Sequence, residues 1–547
     1  MRGLPASVVP IPDLSCHPGT PARRDSPSAS HPDVMVRAAR CPATAPAGPG
    51  RTGRRPVRAA ARDQYGHRTR RPVLIPLPDR PQRSHDMNDD EELYDMVVFG
   101  AGSAGYAAAL RGAQLGLSVA LVERYKLGGT CLHNGCIPTK AMLHAAELAD
   151  QARQGADVGV RSSFQGIDMD ALHAYKNSVV SGLCNGLTGL VDARGITYVE
   201  GEGRLSSATS VDVGGRRLTG RHVVLATGSV PRTLPGLEID GRRVISSDHA
   251  LTLDHVPGSV IVLGGGVIGV EFASAWSSFG ARVTVLEALP RLVPTEDETV
   301  SRRLEAEFLE RGVTLHLGVP FDSSEYTRDG IRVRLADGRA LEADLLLVAV
   351  GRGPVSQGLG FEEAGVLMDK GHVLVDEYMR TSVPTISAIG DLVPTPQLAH
   401  VGFAEGILVA ERVAEKAPVP IDYDGVPRVT FSRPEIASVG LTEAKAKQVY
   451  GAENVDFVVY DLASNARSRT LRTEGHVKVV RRKGGAVVGV HMIGDRISEQ
   501  IGEAQLIYNW EAFPQDVARL VHAYPTQGEA LGEATLALTG KPLHSHV

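Results

Sequence analysis

Residues Tyr94–Glu123 read "YDMVVFGAGSAGYAAALRGAQLGLSVALVE". Met96–Phe99 is a short apolar run, which marks a buried strand. Gly100, Gly102 and Gly105 follow as G-x-G-x-x-G, then an Ala-rich helical stretch, then a second apolar run, Val119–Val122, that ends at Glu123. Strand, glycine turn, helix, strand and acid make a βαβ unit with the dinucleotide fingerprint. The glycines permit the tight turn and let the backbone approach a pyrophosphate. The helix N-terminus offers it N–H groups and partial positive charge, and Glu123 is placed to bond ribose hydroxyls.

The pattern returns at Ser259–Glu287, "SVIVLGGGVIGVEFASAWSSFGARVTVLE", with Gly264, Gly266, Gly269 and Glu287. The first glycine precedes its acid by 23 residues in both copies. One G-x-G-x-x-G is weak evidence in a chain with 60 glycines. Two copies in matching context predict an α/β chain with two Rossmann-like domains. A carboxylate at Glu287 bonds the 2′-hydroxyl of NAD and repels the 2′-phosphate of NADP. Ala288, Leu289 and Pro290 supply no cation beside it, so the second site is read as an NAD site.

Just beyond the first acid stands "GGTCLHNGCIPTK", Gly128–Lys140, with two of the five cysteines. Cys131 and Cys136 have three readings: a redox pair, a metal site, or two unrelated buried thiols. A structural metal wants about four ligands, and beyond His133 no second Cys or His cluster is close in sequence. A helix N-terminus lowers a thiol's pKa. "CIPTKAMLHAAELADQA" supplies one, with Pro138 near the first turn and Cys136 at the start.

These residues resemble the flavoprotein disulfide reductases, the class I pyridine nucleotide-disulfide oxidoreductases. The resemblance runs over roughly Asp95–Pro542. "ATGS" at Ala226–Ser229 and "AIGD" at Ala388–Asp391 resemble the family's returns to its FAD site. "VAVGR" at Val348–Arg352 resembles the end of an NAD domain, and "FSRPEIASVG" at Phe431–Gly440 the opening of a dimerisation domain. The resemblance implies FAD and NAD as cofactors. It makes Cys131 the thiol that meets substrate, Cys136 the thiol against the flavin, and Lys140 and Glu271 a pair near the flavin. It puts Thr130, Thr227, Gly228, Ser229, Gly351, Arg352, Gly390, Asp391, Ala399 and His400 at the cofactors. Asp391 would bond the FAD ribityl chain, and Ala399–His400 would approach the pyrimidine edge.

Within the family the chain is most similar to the dihydrolipoyl dehydrogenases, which use NAD and need no further cysteines. That likeness implies electron flow from dihydrolipoamide through a Cys131–Cys136 disulfide and FAD to NAD⁺. It also implies a lipoyl domain of a 2-oxo acid dehydrogenase complex as partner. The last residues, "KPLHSHV", hold no cysteine pair of the mercuric reductase or large thioredoxin reductase kind.

One position departs from the pattern. The family's base is a His in H-P-T-x-x-E, supplied by the second subunit of a homodimer and oriented by the Glu. Here the stretch reads "HAYPTQGE": Pro525, Thr526 and Glu529 match, but Tyr524 holds the base position and His522 lies two residues upstream. An imidazole near ~6.5 takes a thiol proton at neutral pH, whereas a phenol near ~10 is already protonated. General-base catalysis is worth about 10²–10⁴-fold. Three readings stay open: His522 serves as base, dihydrolipoamide oxidation is slow, or electrons pass from NADH to quinones or another disulfide. A rival of another class is a non-catalytic FAD/NAD-binding subunit.

The rest of the chain sets bounds. A net charge of −5 gives no reason to expect nucleic acid, and no apolar run of membrane-spanning length appears. Few and irregular cysteines fit a cytoplasmic setting. Residues 1–86 hold fifteen Arg, fifteen Pro, six Asp, and neither Lys nor Glu. Such a segment is expected to be disordered. It reads as a targeting peptide, a basic tail, or a start assigned too far upstream of Met87, with the last favoured. The expected divisions are an FAD-binding domain at 90–236, an NAD-binding domain at 237–356, a central segment at 357–424 that completes the FAD domain, and an α+β dimerisation domain at 425–547. In the last, "HVKVVRRKGGAVVGVHMIG" alternates and breaks at Gly484–Gly485, predicting a hairpin with Arg481–Lys483 in a solvated turn.

Overall fold

The computed structural model describes residues 91–544; the readings of residues 1–86 lie outside the described residues. The first fingerprint forms strand β1 (Glu91–Phe99), helix α1 (Ser103–Gln114) and strand β2 (Val119–Glu123). Helix α2 (Cys136–Gln154) and the long helix α3 (Met169–Ala193) come next. Strands β3 (Thr197–Glu200) and β4 (Arg216–Leu225) complete the parallel core, in the order β3-β2-β1-β4. The register pairs Met96 with Val119 on one side and with His222 on the other. Strands 203–207 and 210–213 extend it antiparallel, and Ile386–Ala388 returns to pair with β4 in parallel.

The second fingerprint repeats the construction. Strand β5 (Ser259–Leu263), helix α4 (Val267–Phe279) and strand β6 (Arg282–Glu287) sit in an all-parallel five-stranded sheet with 314–317, 345–348 and 244–245. Every residue of β5 is buried, as expected for a strand covered on both faces. Met142 and Ala146 of α2 share one apolar core with Phe272 and Trp276 of α4. The helix that begins at Cys136 is therefore anchored on the second nucleotide unit.

Helix α5 (Ala399–Val413) packs on α1 through Gly402 and Gly406, where an added Cβ would lie 3.1 Å from the Ala104 Cβ and 2.4 Å from its carbonyl oxygen. A five-stranded antiparallel sheet completes the chain, ordered 428–430, 435–440, 487–494, 476–482, 455–461. The hairpin expected there is present as strands β7 (His476–Arg482) and β8 (Val487–Gly494). Arg481 differs from the sequence reading: it lies in the strand and pairs with Asp456 at 2.8 Å, so the exposed turn begins beyond it. Helices α6 (Ile501–Asn509) and α7 (Glu529–Leu538) cover this sheet. Among the described residues no helix is long and apolar enough to cross a membrane.

Candidate active site

The two glycine turns are built alike. Gly100 has φ +111° and Gly264 φ +114°, a region only glycine enters freely. An added Cβ at Gly100 would sit 2.2 Å from the Ala226 carbonyl oxygen, and one at Gly264 would sit 2.3 Å from that of Ala349. At Gly105 and Gly269 the added atom would fall 1.8 and 1.9 Å from the carbonyl oxygens of Gly100 and Gly264. These four glycines close the turns, while Gly102 and Gly266 face open space, with nothing within 4 Å of an added Cβ.

Both turns open into one cavity of about 1310 Å³, beyond the roughly 300–1,000 Å³ usual for one small ligand. The carboxylates in its lining, Glu123 and Glu287, are held by the same device. Glu123 accepts the N–H of Ala101 at 2.8 Å and of Tyr125 at 2.9 Å; Glu287 accepts those of Gly265 at 2.7 Å and Leu289 at 2.8 Å. Helices α1 and α4 have no side-chain cap and no acid in their first turns. Unclaimed N–H groups, a backbone without Cβ and an acid at ribose distance in the motif suit a dinucleotide at each turn.

The wall between the turns carries the cysteines. Cys131 lies in a one-turn helix, Gly129–His133, and Cys136 is the first residue of α2. Gly135 separates them, where a Cβ would lie 3.0 Å from the Thr130 carbonyl oxygen. Both cysteines are free thiols, and they share a hydrogen bond. That bond and then burial push the Cys131 thiol up. The same bond, followed by nearby Lys140, brings Cys136 down to about 7 despite burial. Of the two thiols, Cys136 is therefore the one that ionises more readily, and it does so near neutral pH. His133, the third ligand a metal would need, engages the Leu127 carbonyl at 2.8 Å instead. Among the described residues no three His, Cys, Asp or Glu side chains converge as a metal site.

Lys140 lies one helical turn after Cys136. Its Nζ donates to both oxygens of Glu271, at 3.0 and 2.9 Å, and lies 4.6 Å from the Phe431 ring centroid. The Phe431 N–H donates to Glu271 Oε1 at 2.9 Å. Glu271 sits on α4, so one buried carboxylate joins the cysteine helix, the second nucleotide helix and the segment opening the last sheet. Phe431 was legible only as part of a motif; its contact with this pair came from the fold.

Thr130, Thr227, Gly228, Gly351, Ala399 and His400 also line the cavity. Ser229, Arg352 and Asp391 form a cluster on its wall. Arg352 donates to the Ser229 hydroxyl at 2.8 Å and carbonyl at 2.7 Å, and the Ser229 hydroxyl donates to Asp391. Buried Glu405, absent from the sequence reading, accepts the Gly390 N–H at 2.6 Å and the Tyr423 hydroxyl at 2.9 Å, fixing the turn that presents Asp391.

His522, Tyr524 and Glu529 are not in this wall. Tyr524 is 68% exposed and lies outside the cavity of its own chain. His522 Nε2 pairs with Glu503 at 2.7 Å, and its ring packs on Gly532, where an added Cβ would meet Nδ1 at 2.5 Å. Glu529 is buried and accepts from Asn465 Nδ2 at 2.9 Å. His522 thus has Glu503 as its carboxylate partner, while one oxygen of Glu529 is engaged by Asn465.

The profile of the pyridine nucleotide-disulphide oxidoreductases matches residues 94–406, and that of their dimerisation domain matches residues 426–535. The chain is 39% identical over 471 residues to a dihydrolipoyl dehydrogenase of Bacillus subtilis, covering 82% of this chain and 99% of that one. It is 36% identical over 470 residues to a leghemoglobin reductase of Glycine max, covering 83% and 89%. The crystal structure of LpdA from Mycobacterium tuberculosis superposes with a TM-score of 0.76 at 27% identity, over 81% of this chain and 99% of that one. The flavoprotein disulfide reductase RclA from Escherichia coli gives 0.72 at 27% identity, over 81% and 99%. With both cofactor turns, the thiol pair and the dimerisation domain in one chain, the protein belongs to the pyridine nucleotide-disulphide oxidoreductase family and is an NAD-dependent flavoprotein disulfide oxidoreductase that uses FAD and NAD.

Proposed function

We propose that this enzyme is a dihydrolipoyl dehydrogenase that oxidises the dihydrolipoamide of a 2-oxo acid dehydrogenase complex and reduces NAD⁺, working as a homodimer. The observation that carries the reading is the polarised thiol pair in the wall of the two-turn cavity. In the reductive half of the cycle a substrate thiolate attacks Cys131 Sγ of the oxidised pair. The Cys131–Cys136 bond breaks, and Cys136 leaves as the thiolate that its low pKa favours. The second substrate thiol then displaces Cys131 and closes the cyclic disulfide. Bound FAD would supply a two-electron acceptor for the reduced cysteine pair and a hydride donor for NAD⁺.

The chain's own residues prepare that step. Lys140 stabilises the Cys136 thiolate, while Glu271 limits the effect and holds the ammonium in place. Gly100, Gly102, Gly105, Glu123 and Asp391 would hold FAD. Gly264, Gly266, Gly269 and Glu287 would hold NAD, and Glu287 would exclude a 2′-phosphate. The names of the dihydrolipoyl dehydrogenase relatives support the dithiol substrate.

Tyr524 favours a second reading, reduction of quinones or of another disulfide by NADH, because a phenol is a poor thiol base. The test is NAD⁺ reduction by dihydrolipoamide, measured beside NADH:quinone turnover on the flavin-loaded dimer. The dehydrogenase reading expects dihydrolipoamide to be the faster substrate. Negligible dihydrolipoamide turnover beside brisk quinone reduction would establish the second reading instead.

A further inference from the structure

Two imidazoles stand near Tyr524, and they differ in what they offer. His522 is largely covered: one nitrogen is held by Glu503 and the other packs on Gly532. His544 is half exposed. Its ring stacks on Tyr524, with centroids 6.3 Å apart and planes 27° from parallel. Glu533 holds it twice, accepting the backbone N–H at 3.0 Å and engaging Nδ1 at 3.1 Å. Glu533 is buried on α7, one helical turn beyond Glu529.

A carboxylate only accepts, so the Nδ1 it bonds carries the proton and Nε2 is left with its lone pair. Among the described residues Nε2 of His544 has no hydrogen-bond partner. The arrangement is a base with an orienting acid, displaced by one turn: Glu533 stands for Glu529, and His544 stands over the side chain at the base position.

Resting on the dithiol reading above, we propose that His544 is the thiol base of this enzyme, acting across the dimer on Cys131 of the partner subunit, with Glu533 as its positioning residue. Nε2 takes the proton of the substrate thiol as its sulfur bonds to that Cys131 and the Cys131–Cys136 disulfide opens. The imidazolium returns the proton to Cys131 when the second substrate thiol forms the product disulfide and releases it. Two electrons leave the dithiol for the cysteine pair, and the second thiol proton goes to solvent. Tyr524 serves as the platform that fixes the ring.

Two measurements on the flavin-loaded dimer decide the matter. In the first, His544→Cys is oxidised and run on a non-reducing gel. A covalent dimer that disappears in His544→Cys with Cys131→Ser is expected; its absence, with flavin content unchanged, overturns the proposal. In the second, His544→Gln is expected to lower kcat/KM for dihydrolipoamide by about 10²-fold or more, with partial rescue by added imidazole. Glu533→Gln is expected to lower kcat and leave KM. Turnover within threefold of wild type in His544→Gln, or a larger loss in His522→Gln, overturns it. A covalent dimer in a protein that never oxidises dihydrolipoamide would uphold the placement of His544 against a thiol and remove the substrate proposed above.

Discussion

The two glycine turns match in backbone angle, in the contacts an added Cβ would make, and in how their acids clamp the neighbouring amides. The segments leaving them differ. After Glu123 the chain makes a one-turn helix, breaks at Gly135 and starts α2 on a cysteine. After Glu287 it turns through Pro290 without a cysteine, and Leu292 and Val293 join the apolar core. On the function proposed above, one device for holding a dinucleotide is used twice, and the chemistry comes from the segment beyond the first copy. Lys140 and Glu271 tie the halves together, because the cation belongs to the cysteine helix and the anion to the second turn's helix.

The strongest way to sharpen that contrast is to remove the cysteines and leave both turns intact. Cys131→Ser and Cys136→Ser should each lower dithiol oxidation by more than about 10³-fold, as loss of a nucleophile does, with flavin still bound. The two should differ in one respect. Cys131→Ser replaces the thiol whose hydrogen bond is the chief cause of Cys136's low pKa but keeps Lys140 beside it, whereas Cys136→Ser leaves the Cys131 thiol that burial pushes up. Thiol alkylation against pH should show Cys136 reacting at lower pH than Cys131; equal profiles would mean that the surroundings of the two thiols do not distinguish them.

A smaller effect probes whether the turns are equivalent. Glu287→Ala should weaken NAD⁺ and narrow its preference over NADP⁺ by roughly 10–100-fold, about 1.4 kcal/mol per tenfold. Glu123→Ala should instead lower flavin retention and leave the NAD⁺ to NADP⁺ ratio alone. If Glu123→Ala moved that ratio, the assignment of cofactors to turns would be reversed.

Much of this contrast could be read along the chain, since each fingerprint is a contiguous run whose spacing states its geometry. The strands at Met96 and Val119, the start of α2 at Cys136 and the hairpin at Gly484 all lie within about twenty residues of the signals that mark them. The rest depends on contacts distant in sequence. Phe431 reaches Glu271 across 160 residues, and Glu405 gains meaning only when Gly390 and Tyr423 converge on it. His522 is close to the position that lacks a His, and sequence proximity made it the natural substitute. Its preference for Glu503 and the stacking of His544 on Tyr524 are set by how α6, α7 and the last residues pack.

Lys140→Met tests the tie between the halves. Without the ammonium the Cys136 thiol should rise, and its alkylation at neutral pH should slow several-fold. Glu271→Gln should act the other way, because the carboxylate opposes the thiolate. Shifts of one sign in both variants would mean that the two side chains act by packing rather than by charge.

The smallest effects expected concern histidines outside the lining of the cavity, and they divide by region. His222, in the first sheet, and His476, in the last, are each brought down to about 4, chiefly by burial, with Arg412 and Lys478 adding to it. Each is neutral when folded, while the unfolded chain takes a proton near ~6.5. Their contribution to stability is therefore present above about pH 6.5 and lost as pH falls toward 4. His522 has the opposite sign: its bond to Glu503 raises it, so its contribution is present below the ordinary value and fades as pH rises through the folded one. Thermal melts across about pH 4.5–8 should show wild type losing stability on the acid side, and His222→Gln with His476→Gln flattening that limb by a few degrees. His522→Gln should leave the acid limb in place and reduce the advantage that low pH gives the last domain. An acid limb unchanged in the double variant would place the acid sensitivity on groups other than these two histidines, since paired carboxylates such as Asp297, which buried Lys478 holds well below the usual range, lose their contribution only below the ordinary carboxylate value.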